Sequence, residues 1–232
     1  ISSKIRIPFY PVPMTMQTLV VLMIGVGFGW KLGDLLADQD LFIIKVAWGG
    51  KSIGADFRPP SAGGEVGPAY TDLFTQVHAV LGSIGERFPE IEHTGYELLG
   101  IGWHQGWNDR VNQAAVDVYE KNMVHFVKDI RKDLGIAKLP FVIANTGMGG
   151  WEIPIRYKAK VEKLMEAQLA LADPERYPDF KGNVAGVETR DFQRTLEESP
   201  SKQEYHWMRN WETYYLIGKS MGDAMIKLIS AQ

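Results

Sequence analysis

Leu41-Phe-Ile-Ile-Lys-Val-Ala-Trp48 is a short, almost unbroken apolar run closed by Gly49-Gly50, and its reading decides the fold. A run of that length bounded by glycines suits a strand, and one apolar on both faces suits a central strand of a parallel sheet. The segment after it is helical in pattern. Pro68 opens a stretch in which Tyr70, Leu73, Phe74, Val77, Val80, Leu81 and Ile84 lie on one stripe.

The alternation continues along the chain. Tyr96 to Trp103 reads as the next strand, and Ala115, Val118, Tyr119, Phe126, Val127, Ile130 and Leu134 mark an amphipathic helix capped by Gly135. Leu139 to Asn145 is a third buried strand. Tyr157 to Leu171 is helical by composition and is stopped by Asp173-Pro174. Asn183 to Glu188 gives a weaker fourth strand. Trp211 to Ile229 makes the last helix, with Tyr214, Ile217, Met221, Met225 and Leu228 on its inner side. Strands alternating with helices predict an α/β fold, a three-layer α/β/α sandwich around a parallel sheet.

Composition narrows the function classes. At 232 residues the chain can build one sizeable core, and 45% hydrophobic with 23% charged residues is ordinary for a globular protein. The net charge of −3 comes from 25 basic and 28 acidic residues with no basic tract, which argues against nucleic-acid binding. The absence of cysteine removes disulfides, thiolate zinc sites and cysteine nucleophiles. No spacing of His, Asp and Glu resembles a helical HExxH metal site.

The segment Val12 to Trp30, VPMTMQTLVVLMIGVGFGW, carries no charge and admits two readings. One is a buried strand or helix, and the other is a membrane helix of about 20 apolar residues. Pro13, Thr15, Gln17, Thr18 and the glycines weigh toward the first. A signal peptide fits poorly, because the basic residues sit far from the apolar part and no small-residue cleavage site comes after it.

In parallel α/β sheets ligands bind at the carboxyl ends of the strands. The unusual sequences of this chain fall there: WGGKSIGADFRPPSAGG after the first strand, WHQGWNDR after the second and NTGMGGWE after the third. Gly49-Gly50-Lys51-Ser52 is not a phosphate loop, because the glycine required five positions before Gly-Lys-Ser is replaced by Lys45. Its glycines serve either to reverse the chain or to aim backbone amides at an oxyanion. The run Trp103-His104-Gln105-Gly106-Trp107-Asn108-Asp109 sets amide and carboxylate groups beside two tryptophans, which suits either sugar binding or a buried aromatic turn whose polar groups satisfy backbone. Trp103, Trp107, Asn108 and Asp109 are candidate substrate contacts, and Trp151 offers a further aromatic face. His206 is the best candidate general base. His78 and His125 fall inside helices, and His93 sits in a polar loop.

The blocks KVAWGGKSIGADFRPPSAGG, GIGWHQGWNDR and YHWMRNWETYYLIGKSMGDAM, in that order, resemble the carbohydrate acetylesterases grouped with sialate O-acetylesterases in the SGNH-hydrolase superfamily. The resemblance covers about residues 27–232. It implies a flavodoxin-like three-layer sandwich and a serine-dependent esterase that removes acetyl groups from polysaccharides or sialate-type esters. It further implies an acetylated carbohydrate as partner, no metal or organic cofactor, and a secreted or periplasmic setting. Carried over residue by residue, Gly50 or its neighbour Gly49 matches the oxyanion glycine, Gln105 the side-chain oxyanion donor and His206 the catalytic histidine. The family's Asp three residues before that histidine is Gln203 here, leaving Glu204, Glu198 or no acid as its partner.

The nucleophile is the departure. The family places its serine after the first strand, and Leu19 to Ile24 could be that strand. Gly25-Val26-Gly27-Phe28-Gly29 comes next without serine, threonine or cysteine, while Ser2 and Ser3 precede the run. Residues 1–30 are instead similar to the start of the membrane biotin-transporter subunit family. The expected organisation is therefore an apolar segment of different ancestry over residues 1–26, joined to an esterase domain over 27–232. Activity is expected to be low or absent, with a non-catalytic carbohydrate-binding remnant or a transporter-derived chimera as alternatives. Membrane contact is expected only through residues 12–30.

Overall fold

A computed structural model describes residues 5–6, 16–89, 91 and 95–231, with side chains from residue 23 onward. Strand β4 (Phe141–Ala144) is central in a parallel sheet of order β3-β4-β5, with β3 at Ile101–Trp103 and β5 at Val184–Val187. All four β4 residues are buried, and the strand period sends them to opposite faces. Phe141 and Ile143 join a cluster with Tyr119, Met123, Phe126 and Leu164. Val142 and Ala144 join a cluster with Ile217, Met221 and Met225.

Helices α4 (Gln113–Asp133) and α5 (Lys158–Ala170) supply the first layer, and α6 (Trp211–Ser230) with α1 (Met16–Leu35) supplies the other. The molecule is the three-layer α/β/α sandwich that the alternation of elements predicts. α4 ends as expected: the Gly135 amide donates to the Lys132 carbonyl and the Ile136 amide to that of Arg131, closing its last turn. Asn210 caps α6 by accepting from the Glu212 and Thr213 amides. Two shorter helices, α2 (Pro68–Leu81) and α3 (Ile84–Arg87), lead from the first loop toward β3.

Two expectations change. The apolar run Leu41–Trp48 predicts a long buried strand, but only Leu41–Phe42 ladders, as β2, in parallel with Ile5–Arg6 as β1. The rest of the run is half-buried and irregular apart from exposed Ala47. Lys45 lies at its middle, and burial pushes that ammonium down to about 8, which shows the cost of placing a cation in a two-faced core strand. The segment Leu19–Ile24, a candidate first strand, is instead part of α1.

α1 packs on α6 backbone to backbone. A side chain at Gly27 would strike the Tyr215 carbonyl, and one at Gly218 would strike the Ile24 carbonyl. Only glycine permits so close a crossing. The boundary expected between residues 26 and 27 falls inside this helix. Among the described residues no helix is long and apolar enough to cross a membrane.

Candidate functional site

The loops after β3, β4 and β5 leave the same edge of the sheet and are knitted together by side chains. His104, at the end of β3, places Nδ1 3.1 Å from the Ala144 carbonyl at the end of β4. Burial pushes its imidazole down to about 4, so it is neutral at pH 7 and serves as a strut. Gln168 from α5 donates from Nε2 to the Gln105 carbonyl at 2.6 Å and accepts at Oε1 from the Thr146 amide at 2.9 Å. Thr189, after β5, donates from its amide to Asn145 Oδ1 at 3.0 Å and from Oγ1 to the Asn145 carbonyl at 2.9 Å.

Asp109 fastens the glycine loop to the β3 loop. Its carboxylate, 1% exposed, accepts from the Ile53 amide at 3.0 Å, the Gly54 amide at 3.3 Å and Gln105 Nε2 at 2.7 Å. Burial nevertheless pushes its pKa up to about 6, because no cation pairs with it among the described residues. The sequence pattern points Asp109 and Asn108 at substrate. In the structure Asp109 is enclosed and holds backbone, while half-buried Asn108 opens the short turn Asp109–Val111. No local signal marks this role, since the amides it holds lie more than fifty positions away.

Gly49 and Gly50 form an exposed turn, and Gly50 takes φ +66°, a conformation that favours glycine. Behind the turn, Asp56 accepts from the Ser52 amide at 2.9 Å, Ser52 Oγ at 3.3 Å and Lys51 Nζ at 2.9 Å. Against the cost of burial, these partners hold the Asp56 carboxyl below its usual range. Gln105 stands differently from its expected oxyanion role. Its Nε2 donates to the Lys51 carbonyl at 2.8 Å as well as to Asp109, so both of its N–H groups already have acceptors.

His206 opens a turn in which four successive non-glycine residues, His206 to Arg209, take φ between +49° and +58°. Buried Trp207 anchors this left-handed turn, and the His206 amide donates to Met148 Sδ of the β4 loop at 3.2 Å. Burial and the nearby Arg209 lower the His206 pKa, which favours the neutral base. Exposed Glu204, a candidate acid partner, is ion-paired with Arg156 and lies 3.5 Å from Tyr157 Oη. Glu198 accepts from the Thr195 amide, and Gln203 accepts from Arg209 Nε at 3.1 Å.

The tryptophans separate into interior and surface. Trp103 packs its ring 5.2 Å from Phe57 and 4.4 Å from Phe126, so it builds the core rather than a sugar groove. Trp107 is half-buried, with Arg110 4.4 Å over its ring and Tyr157 at its edge. Trp151 stays 58% exposed.

No serine, threonine or cysteine lies between Leu19 and Lys31. Ser61 Oγ sits 2.8 Å from His125 Nδ1, but far along α4 from the strand ends, and the Ser61 amide is tied to Asp129. That pair tethers a loop. Ser2, Ser3 and His93 lie outside the described residues.

A family sequence model spans all of these loops. The sequence model of a family described as carbohydrate esterase, sialic acid-specific acetylesterase, matches residues 10–226. A probable carbohydrate esterase of Arabidopsis thaliana is 29% identical over 86 residues, which make up 37% of this chain and 30% of that protein. The aligned part is thus less than a third of that relative's length. The X-ray structure of an Arabidopsis thaliana protein shares the fold at a TM-score of 0.58 and 19% identity, covering 87% of this chain and 67% of that one.

Proposed function

The chain belongs to the sialic acid-specific acetylesterase family of carbohydrate esterases, and from that membership we propose that its site is built for acetyl transfer from carbohydrate esters to water. The observation that supports this most is the convergence of the matched loops on one sheet edge, with a neutral histidine beside them.

In the intact reaction a serine hydroxyl attacks the acetyl carbonyl while His206 takes its proton. His206 then returns the proton to the departing sugar oxygen, and water releases acetate from the acetyl-enzyme by the same steps in reverse roles. The Gly49-Gly50 turn offers backbone amides for the carbonyl oxygen as it becomes negative. Gln105 and Asp109 hold that turn in register. Glu204 is engaged by Arg156 and Tyr157.

For this chain we propose weak turnover or none. The stretch where the family's serine block would fall is the glycine-rich middle of α1, and Ser52 is engaged by Asp56. The division of ancestry at residues 26 and 27 belongs to the same proposal. Rates on 4-nitrophenyl acetate and on acetylated xylan, for the chain and its His206→Ala variant, provide the test. Losing triad members costs serine hydrolases about 10⁴–10⁶ in kcat, so the two proteins should differ by less than about tenfold. A chain about a thousandfold faster than His206→Ala contains a working nucleophile, and the impairment reading then fails.

The exposed, fixed indole of Trp151 favours a second reading in which the framework retains carbohydrate binding without turnover.

A further inference from the structure

Trp151 is exposed yet held on two sides. Its indole Nε1 donates to Asp191 Oδ1 at 2.9 Å, and the Arg190 guanidinium lies 3.7 Å from the ring centroid. Arg190 is itself locked, donating from Nε to Glu188 Oε1 at 2.9 Å and from Nη2 to Glu188 Oε2 at 2.7 Å. The chain Glu188–Arg190–Trp151 therefore fixes the plane of the ring and covers one face. Since 58% of the residue stays accessible, the opposite face is the one left to solvent.

This is an unusual use of a tryptophan. Burying an indole contributes about 2–3 kcal/mol, and a side chain with no other task gains by tucking inward. Fixing it without burying it removes the ordering cost that a partner would otherwise bear. A rigid ring with one open face and polar groups at its edge matches a pyranose, which presents a face of C–H bonds rimmed by hydroxyls. Asp191 and Arg190 supply an acceptor and donors beside the indole.

The position also suits the site. Trp151 comes three residues after Met148, and Met148 Sδ receives the His206 amide. Three residues reach at most about 11 Å, so the Trp151 backbone lies within a short oligosaccharide of the Met148 that touches the His206 turn. Trp211 is 63% exposed, but among the described residues no hydrogen bond holds its indole and no cation covers its ring. It is the natural control.

We propose that Trp151 is a saccharide-stacking subsite, on which a neutral pyranose of an oligosaccharide lies next to the unit bearing the ester. The proposal rests on the carbohydrate esterase reading for its ligand class, but its readout does not need turnover. Titration calorimetry of the full chain with xylotetraose, cellotetraose and mannotetraose tests it.

At least one of the three should bind. Trp151→Ala should weaken that binding about tenfold, Trp151→Phe about threefold, and Trp211→Ala should leave it unchanged. Arg190→Ala, which frees the ring while leaving it present, should fall between wild type and Trp151→Ala. Far-ultraviolet circular dichroism of each variant checks that the fold persists. Failure of all three sugars to bind overturns the proposal, as does unchanged binding in a folded Trp151→Ala or an equal loss in Trp211→Ala. Trp151-dependent binding with turnover less than about tenfold above His206→Ala supports the subsite and agrees with the impaired esterase site. Trp151-dependent binding with turnover about a thousandfold above that variant leaves the subsite standing and sinks the impairment reading, and absent binding at the lower turnover does the reverse.

Discussion

Around Asp109 the chain is closed by hydrogen bonds that satisfy nearly every group involved, whereas around His206 it is held against its own backbone preference. The Asp109 carboxylate gathers two amides and a glutamine side chain in ordinary conformations. The turn from His206 to Arg209 places four side-chain-bearing residues in the left-handed region, at about 1–2 kcal/mol each. That cost is offset by Trp207, sealed in a core cluster with Tyr214 and Ile217, together with the Met148 and Gln203 contacts. The polar half of the site is thus locally satisfied, and the histidine half depends on packing elsewhere.

The contrast can be broken from either side. Trp207→Ala removes the anchor and opens a cavity, so urea unfolding should show a loss of about 3–5 kcal/mol. Asp109→Ala strands the amides of Ile53 and Gly54 and one Gln105 hydrogen, at about 2–4 kcal/mol. A larger loss for Asp109→Ala than for Trp207→Ala would invert the comparison.

Acid titration separates the two halves more finely. The folded pKa of Asp109 is raised to about 6, so the native state holds a proton that the unfolded chain has already released. Stability from this group therefore increases as pH falls through 6 toward the unfolded carboxyl range, and is lost as pH rises. Relative to Asp109→Asn, the wild-type chain should gain about 1 kcal/mol between pH 6 and pH 5. A flat difference between the two would mean that the hydrogen bonds offset burial and keep the Asp109 carboxylate ionised down to the ordinary carboxyl range. Met208→Gly should give the smallest change. It relieves one left-handed residue at the cost of unfolded-state freedom, and should stabilise by about 0.5–1 kcal/mol.

The same contrast governs how much of the molecule is legible in its sequence. β4 and its neighbours are legible because a short run with both faces buried is apolar throughout, and α4 is legible from its stripe and Gly135. Leu41–Trp48 looks equally apolar, but only two of its residues find a ladder partner, and pairing is a property of the neighbour. Trp103 and Trp107 look like a sugar platform because two tryptophans in five residues say nothing of which way each ring turns. His206 stands out by residue type, but a left-handed turn without glycine carries no local sign. The hold on Trp151 comes from Arg190 and Asp191, some forty positions away.

The close crossing of α1 and α6 bears on how the molecule is made. These helices are almost two hundred positions apart in the sequence, and Gly27 and Gly218 meet only when both exist. On a ribosome adding about 5–20 residues per second, α1 waits roughly 10–40 s for its counterpart. Through that interval a glycine-rich apolar helix stands uncovered while the sheet assembles behind it. Completion of this domain is therefore a late, long-range event, and α1 is an aggregation hazard on the nascent chain until α6 arrives.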